Sequence, residues 1–189
     1  MSIQEQTDGE LIRLCDENRL FPLSLSTPSA RPARAVFLTT ELMAMVRDPA
    51  LLDVDEIRMA TLLADLQSFA EGLDVAIPTF LKPLSAGKRG VWEFRRRKPR
   101  PSIRVFALFS RRDVLVLTHA IKRAALGARR DPGWNEEIRR AKFIWRDLFL
   151  EAHPITGGNI SDYLSESFHI NRNNQIRRGD APIATLEPF

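Results

Sequence analysis

From Ala35 onward the apolar positions switch between strand-like and helix-like rhythms. Val36-Phe37-Leu38 is a short apolar run that predicts a strand. Thr39 or Thr40 then stands where a helix beginning at Glu41 needs an oxygen to receive its free amides, and Asp48-Pro49 stops that helix. Asp53 followed by Glu56 has the form of a capping box, predicting a second helix. Ile57, Ala60, Leu63, Leu66 and Phe69, with Leu62 and Ala70 beside them, recur at steps of three and four, and Glu71-Gly72 supplies the stop.

Three strand-like runs follow. Val91–Arg95 alternates, with Trp92 and Phe94 on one face and Val91, Glu93 and Arg95 on the other. Residues 103–109 set Ile103, Val105, Ala107 and Phe109 against Arg104, Phe106 and Leu108. Val114–Ile121 is almost wholly apolar, as a strand covered on both faces is. Residues 110–113 are short enough for a hairpin turn, while 96–102, with Pro99 and Pro101, reads as an exposed basic loop. Asp131-Pro132 opens a last helix whose apolar stripe is Trp134, Ile138, Ala141, Trp145 and Leu148. The order β-α-α-β-β-β-α predicts an α+β domain over residues 35–152, an antiparallel β-meander packed on helices. Residues 1–34 read as an N-terminal extension: Leu11, Ile12, Leu14 and Cys15 can form one helical stripe, and Pro22, Pro28 and Pro32 punctuate a linker-like or lid-like stretch. Residues 153–189 read as a C-terminal extension, with Gly157-Gly158 before a short helix near Ser161.

Charge is distributed unevenly along the chain. Residues 82–130 carry fifteen Lys or Arg and two acids, Glu93 and Asp113, a net +13 in a chain of net +4. The flanking parts are acidic, −7 over residues 1–81 and −2 over 131–189. A basic block within an acidic chain points to a polyanion-binding surface, and it coincides with the strands. No apolar run approaches a membrane span, and the first residues lack a secretory pattern. The single Cys15 excludes an intramolecular disulfide and a Cys-based zinc cluster. A reducing cytoplasm and a reaction without metal or cofactor are the expectations.

Several local phrases stand in a telling order: Lys82-Pro83-Leu84; Gly90-Val91-Trp92-Glu93-Phe94-Arg95; Arg104-Val105-Phe106; Leu115-Val116-Leu117-Thr118-His119-Ala120-Ile121-Lys122-Arg123; and Pro132 with Glu136-Glu137-Ile138-Arg139-Arg140-Ala141. Over about residues 35–149 the chain resembles the RelE/HigB-like toxins of bacterial type II toxin–antitoxin systems, particularly the phage-derived HigB-like branch. The resemblance implies ribosome-dependent cleavage of messenger RNA by attack of a ribose 2′-OH on the neighbouring phosphate, without metal. It also implies neutralisation by a small antitoxin of the helix-turn-helix type. Two departures stand out: both ends are longer than in the compact toxins, and the only tyrosine, Tyr163, lies in the C-terminal extension. The rival readings are a ParE-like gyrase inhibitor on the same fold and a non-catalytic nucleic-acid-binding or phage regulatory protein.

Under the toxin reading the candidate catalytic residues are Arg95, Arg104, His119 and Lys122. Strand parity places Arg95 and Arg104 on one face of adjacent strands, and a guanidinium keeps its charge and can grip two phosphate oxygens. The alternative is that both are solvated charges on the open face of a half-buried sheet. His119 is a candidate acid or base, but it shares parity with Leu115 and Leu117, which equally suits a structural histidine in the core. Lys88, Arg89, Arg96, Arg97, Lys98, Arg100 and Arg123 are the candidate RNA-binding residues, gripping backbone phosphate rather than reading sequence. Trp92, Phe94, Trp134 and Trp145 read as core residues, and Gly157-Gly158-Asn159 as a turn.

Overall fold

The alternating and continuous apolar runs resolve into a main sheet with helices on both faces. The computed structural model describes residues 3–25, 33–73, 75–77, 80–84, 90–98, 100–128, 132–165 and 168–170. In chain order these form α1 (Ile3–Asp16), β1 (Leu20–Pro22), β2 (Ala35–Thr39), α2 (Thr40–Arg47), α3 (Glu56–Ala70), β3 (Val75–Ile77), β4 (Leu81–Pro83), β5 (Val91–Arg96), β6 (Ile103–Arg111), β7 (Val114–Lys122), α4 (Pro132–Leu148) and β8 (Phe168–Ile170). Short 3₁₀ turns cover Pro49–Leu52, Arg123–Leu126 and Ile160–Asp162.

Six strands make the main sheet in the order β1-β2-β7-β6-β5-β4, and β3 pairs with β8 separately. Strands β4 to β7 run antiparallel to their successive neighbours, as short connections require. The expected wholly antiparallel sheet is nevertheless corrected: β2 lies parallel to β7, with Ala35 opposite Val114 and Leu38 opposite Leu117, so the sheet is mixed. A parallel neighbour needs a long crossover, and everything from α2 to β6 supplies one.

The sheet separates two apolar cores. On one face Leu42 of α2 and Met59, Leu62, Leu66 and Phe69 of α3 cover Trp92, Phe94, Val105, Phe109 and Leu117. On the other, Leu11 and Leu14 of α1 and Trp134, Ile138, Ala141 and Trp145 of α4 cover Val91, Phe106, Leu108 and Val116. Burial on both faces explains why β7 is apolar at nearly every position. The stripe on α3 is turned from the expected one: Ile57 is 74 % exposed, and Met59 lies inside. The start of the helix also differs from the expected one. Asp55, not Asp53, caps it, accepting from the Arg58 amide at 2.8 Å, while Asp53 adopts a left-handed conformation (φ 51) at the end of the preceding turn.

The described part of residues 1–34 joins this fold. β1 extends the sheet edge beside β2, with Pro22 at its end where no ladder amide is needed. Arg34 is buried, donating to the Phe69 carbonyl at 2.8 Å and lying over the Phe69 ring. Pro28, Pro32 and Asp131 lie outside the described residues.

Candidate nucleic-acid interface

The antiparallel register of β5 and β6 sets Arg95 directly opposite Arg104, on the face that α4 covers. Glu93, two residues before Arg95, shares that face by the strand period. Its carboxylate is 99 % removed from solvent and lies 2.6 Å from Arg95 Nε and 3.7 Å from Arg104 Nε. The Nε atoms are at ion-pair distance without hydrogen-bond alignment; Arg104 instead donates through Nη1 to the Ile103 carbonyl at 2.9 Å. Burial pushes the Arg104 guanidinium below its usual range, the Glu93 charge opposes that, and the charges of Arg95, Arg123 and Arg97 reinforce it. Arg123 is held over the Trp134 ring at 5.4 Å and donates to the Gly127 carbonyl at 2.5 Å. Four guanidinium groups therefore influence one spot that holds a single carboxylate. Arg95 and Arg104 are not solvated charges on an open face: Arg104 is only 6 % exposed.

His119 reaches the same face by a detour. Phe106 pairs with His119 but Ala107 pairs with Leu117, so Thr118 is an extra residue in β7. That bulge cancels the parity His119 shares with Leu115 and Leu117 and turns the imidazole from their core toward α4. The ring is fully buried and stacked on Phe106 (centroids 4.7 Å apart). Nε2 lies 2.8 Å from Glu137 Oε2 of α4, and Nδ1 lies 3.0 Å from Thr118 Oγ1. Burial, helped by the nearby Arg140 charge, lowers the His119 pKa to about 3, so the ring is neutral. Burial likewise raises the Glu137 carboxyl, against the pull of Arg140. Both ring nitrogens face protein, and neither faces solvent.

Lys122 points to the opposite side and pairs with exposed Asp53, whose pKa that hydrogen bond lowers. Arg96 is also drawn to that side, donating to Asp65 of α3 at 2.7 Å. Burial raises the Asp65 carboxyl although Arg96 pulls it down. Arg97, Lys98 and Arg100 project into solvent, and Ser102 donates to the Arg97 carbonyl at 2.9 Å, bracing the loop. Lys88 and Arg89 lie outside the described residues. The structure thus gathers Arg95, Arg104, Arg97 and Arg123, and separates them from His119 by the Phe106 ring and from Lys122 by the sheet itself.

Two participants escaped the sequence reading. Glu93 anchors the cluster, and the signal was present, since it is the only acid between residues 82 and 112 and shares parity with Arg95. Arg58 braces the basic loop from α3, its Nε donating to the Arg100 carbonyl at 2.7 Å. Nothing local to Arg58 announces that partner. Trp92, Phe94, Trp134 and Trp145 are core residues. Tyr163 is buried against Trp92 and Phe109, its hydroxyl donates to the Gly157 carbonyl at 2.9 Å, and burial pushes its pKa up to about 12. Among the described residues no group of three His, Cys, Asp or Glu side chains can hold a metal ion, and no helix is long and apolar enough to cross a membrane. No family model, curated protein or solved structure matches the chain.

Proposed function

We propose that this chain is a RelE/HigB-like toxin that cuts ribosome-bound messenger RNA, holding the scissile phosphate at the guanidinium cluster. The observation that carries the reading is the convergence of Arg95 and Arg104 on one buried carboxylate, Glu93, with the charges of Arg97 and Arg123 felt at Arg104. Attack by the ribose 2′-oxygen forms a bond to phosphorus and breaks the bond to the 5′-oxygen, and the phosphoryl oxygens gain charge on the way. Cations fixed in advance by a buried anchor stabilise that charge without having to reorganise. RNA is obligatory because DNA lacks the attacking hydroxyl. The proton leaving the 2′-hydroxyl, and the one taken by the 5′-oxygen, need carriers other than the enclosed His119. Exposed Arg97, Lys98 and Arg100 add backbone affinity, and a small acidic antitoxin would restrain the toxin.

The test is a reconstituted translation reaction with end-labelled messenger RNA, comparing wild type with Arg95→Ala. Arg104 is kept because Glu93 would otherwise be left buried without a cation. Cleavage that needs ribosomes and falls about 100-fold in Arg95→Ala supports the reading. Intact RNA at protein concentrations that occupy the ribosome overturns it.

The enclosure of His119 favours a second reading, a non-catalytic nucleic-acid-binding protein on this scaffold. Salt-dependent RNA binding with no cleavage, with or without ribosomes, distinguishes it.

A further inference from the structure

Helix α4 carries two stripes. Trp134, Ile138, Ala141, Trp145 and Leu148 face the sheet and are buried. Arg139, Lys142, Phe143, Arg146 and, just past the helix end, Leu150 follow at steps of three and four on another side. This second stripe borders a groove of about 1040 Å³ between α4 and residues 150–156. The floor is apolar, built from Leu108 of β6 with Trp145 and Phe149. At its lips Phe143 is 64 % exposed and Leu150 is 84 % exposed, large apolar side chains held in water on one feature. Among the described residues its wall carries four Arg and Lys side chains and no carboxylate. Arg140 is engaged with Glu41 at 2.7 Å, so Arg139, Lys142 and Arg146 set the charge that an occupant meets.

We infer that this groove docks an acidic amphipathic helix of a partner protein, apolar side chains seated between Phe143 and Leu150 and carboxylates set against Arg139, Lys142 and Arg146. Charge complementarity selects the acidic partner, and the exposed lips Phe143 and Leu150 require an occupant that also removes hydrocarbon from water. The phosphate backbone of a nucleic acid satisfies the cations but not the two apolar lips. An extended strand is excluded by position: the groove lies over β6, in the interior of the sheet, where no backbone edge is open for pairing. Leu108 stands four residues beyond Arg104 on β6, roughly 13 Å along the strand, and none of the groove's described lining residues belongs to the guanidinium cluster. The inference therefore holds whether or not the chain cuts RNA.

The probe is a fluorescein-labelled helix-forming peptide of about 20 residues, with Leu at steps of three and four and Glu on both flanks. It is titrated by anisotropy against the full-length protein, beside a scrambled peptide of equal composition. Saturable binding of the patterned peptide is expected, weaker by about tenfold or more in Phe143→Ser/Leu150→Ser and in Arg139→Glu/Arg146→Glu. All four positions are exposed, so unchanged circular dichroism and melting confirm that the variants are folded. No saturable binding, equal binding of the scrambled peptide, or binding untouched by either variant overturns the inference. Sedimentation showing a dimer that Phe143→Ser/Leu150→Ser dissolves overturns it in favour of a second copy of this chain. Loss of single-stranded RNA binding in the same variants, without peptide binding, overturns it in favour of nucleic acid.

Discussion

Two neighbouring rows of side chains cross the α4 face of the sheet and treat charge in opposite ways. In one, Glu93, Phe106 and His119 stand opposite one another on β5, β6 and β7; in the next stand Arg95, Arg104 and Ile121. Burial has discharged the histidine end of the first row, because an imidazole can give up its proton. The arginines of the second row keep theirs, because a guanidinium does not deprotonate at any pH a cell reaches. Glu93 belongs to the first row by position and to the second by contact, reaching across to hold both arginines. Two sets of ionisable groups, similarly enclosed, thus end as a neutral buttress and as a fixed positive field. The capacity to retain charge, rather than burial alone, separates the region suited to an anionic ligand from the one suited to packing.

The strongest way to break this contrast is Glu93→Gln, which leaves the buried Arg104 without its anion. A loss of about 3–5 kcal/mol is expected, read as a lower urea midpoint. Added inorganic phosphate or heparin should recover more stability in the variant than in wild type; equal recovery would show that the cluster takes no anion. Next in size is the acid response of the neutral end. His119 has its folded pKa lowered from 6.5 to about 3, so between those pH values the unfolded chain binds the additional proton. Its contribution to stability is complete above pH 6.5 and is lost as pH falls toward 3. The raised Glu137 carboxyl acts in the opposite sense, adding stability that fades as pH climbs through its folded value. Chemical denaturation from pH 7 to 4 should therefore show a shallower loss for His119→Asn than for wild type, and parallel slopes would refute the assignment. The smallest effects separate the two sides of the sheet. Arg97→Ala/Lys98→Ala/Arg100→Ala should lower the salt slope of RNA binding by about 2, at roughly 0.7 per lost contact with single-stranded nucleic acid. Lys122→Ala, on the other side, should leave that slope and the melting temperature unchanged.

Much of the scaffold was legible because each signal was local. The Thr39 cap, the alternation in β5 and β6, the unbroken apolar run of β7 and the stripe of α4 all reflect spacing along one element. What stayed hidden depended on pairing between distant segments. The parallel neighbour of β7 is β2, and nothing within Ala35–Thr39 specifies direction. Parity failed at His119 because one extra residue, Thr118, shifts the period; its hydroxyl donates to the Phe106 carbonyl at 3.0 Å, a partner on another strand. Arg95 facing Arg104 was readable from alternation across a hairpin, whereas the approach of Arg123 depends on the turn after β7 and on Trp134 of α4.

The seating of β2 beside β7 carries a consequence for the order of events during synthesis. Ala35–Thr39 leaves the ribosome early, yet its parallel partner Val114–Lys122 is made only after α2, α3 and four further strands. The hairpin of β5 and β6 can close as soon as its own residues emerge, bringing Arg95 to Arg104, but α4 and the turn that positions Arg123 come later still. Contacts so far apart along the chain slow folding. The positive cluster is therefore completed late, and a nascent chain stalled before Trp134 carries the arginines without the arrangement that makes them a site.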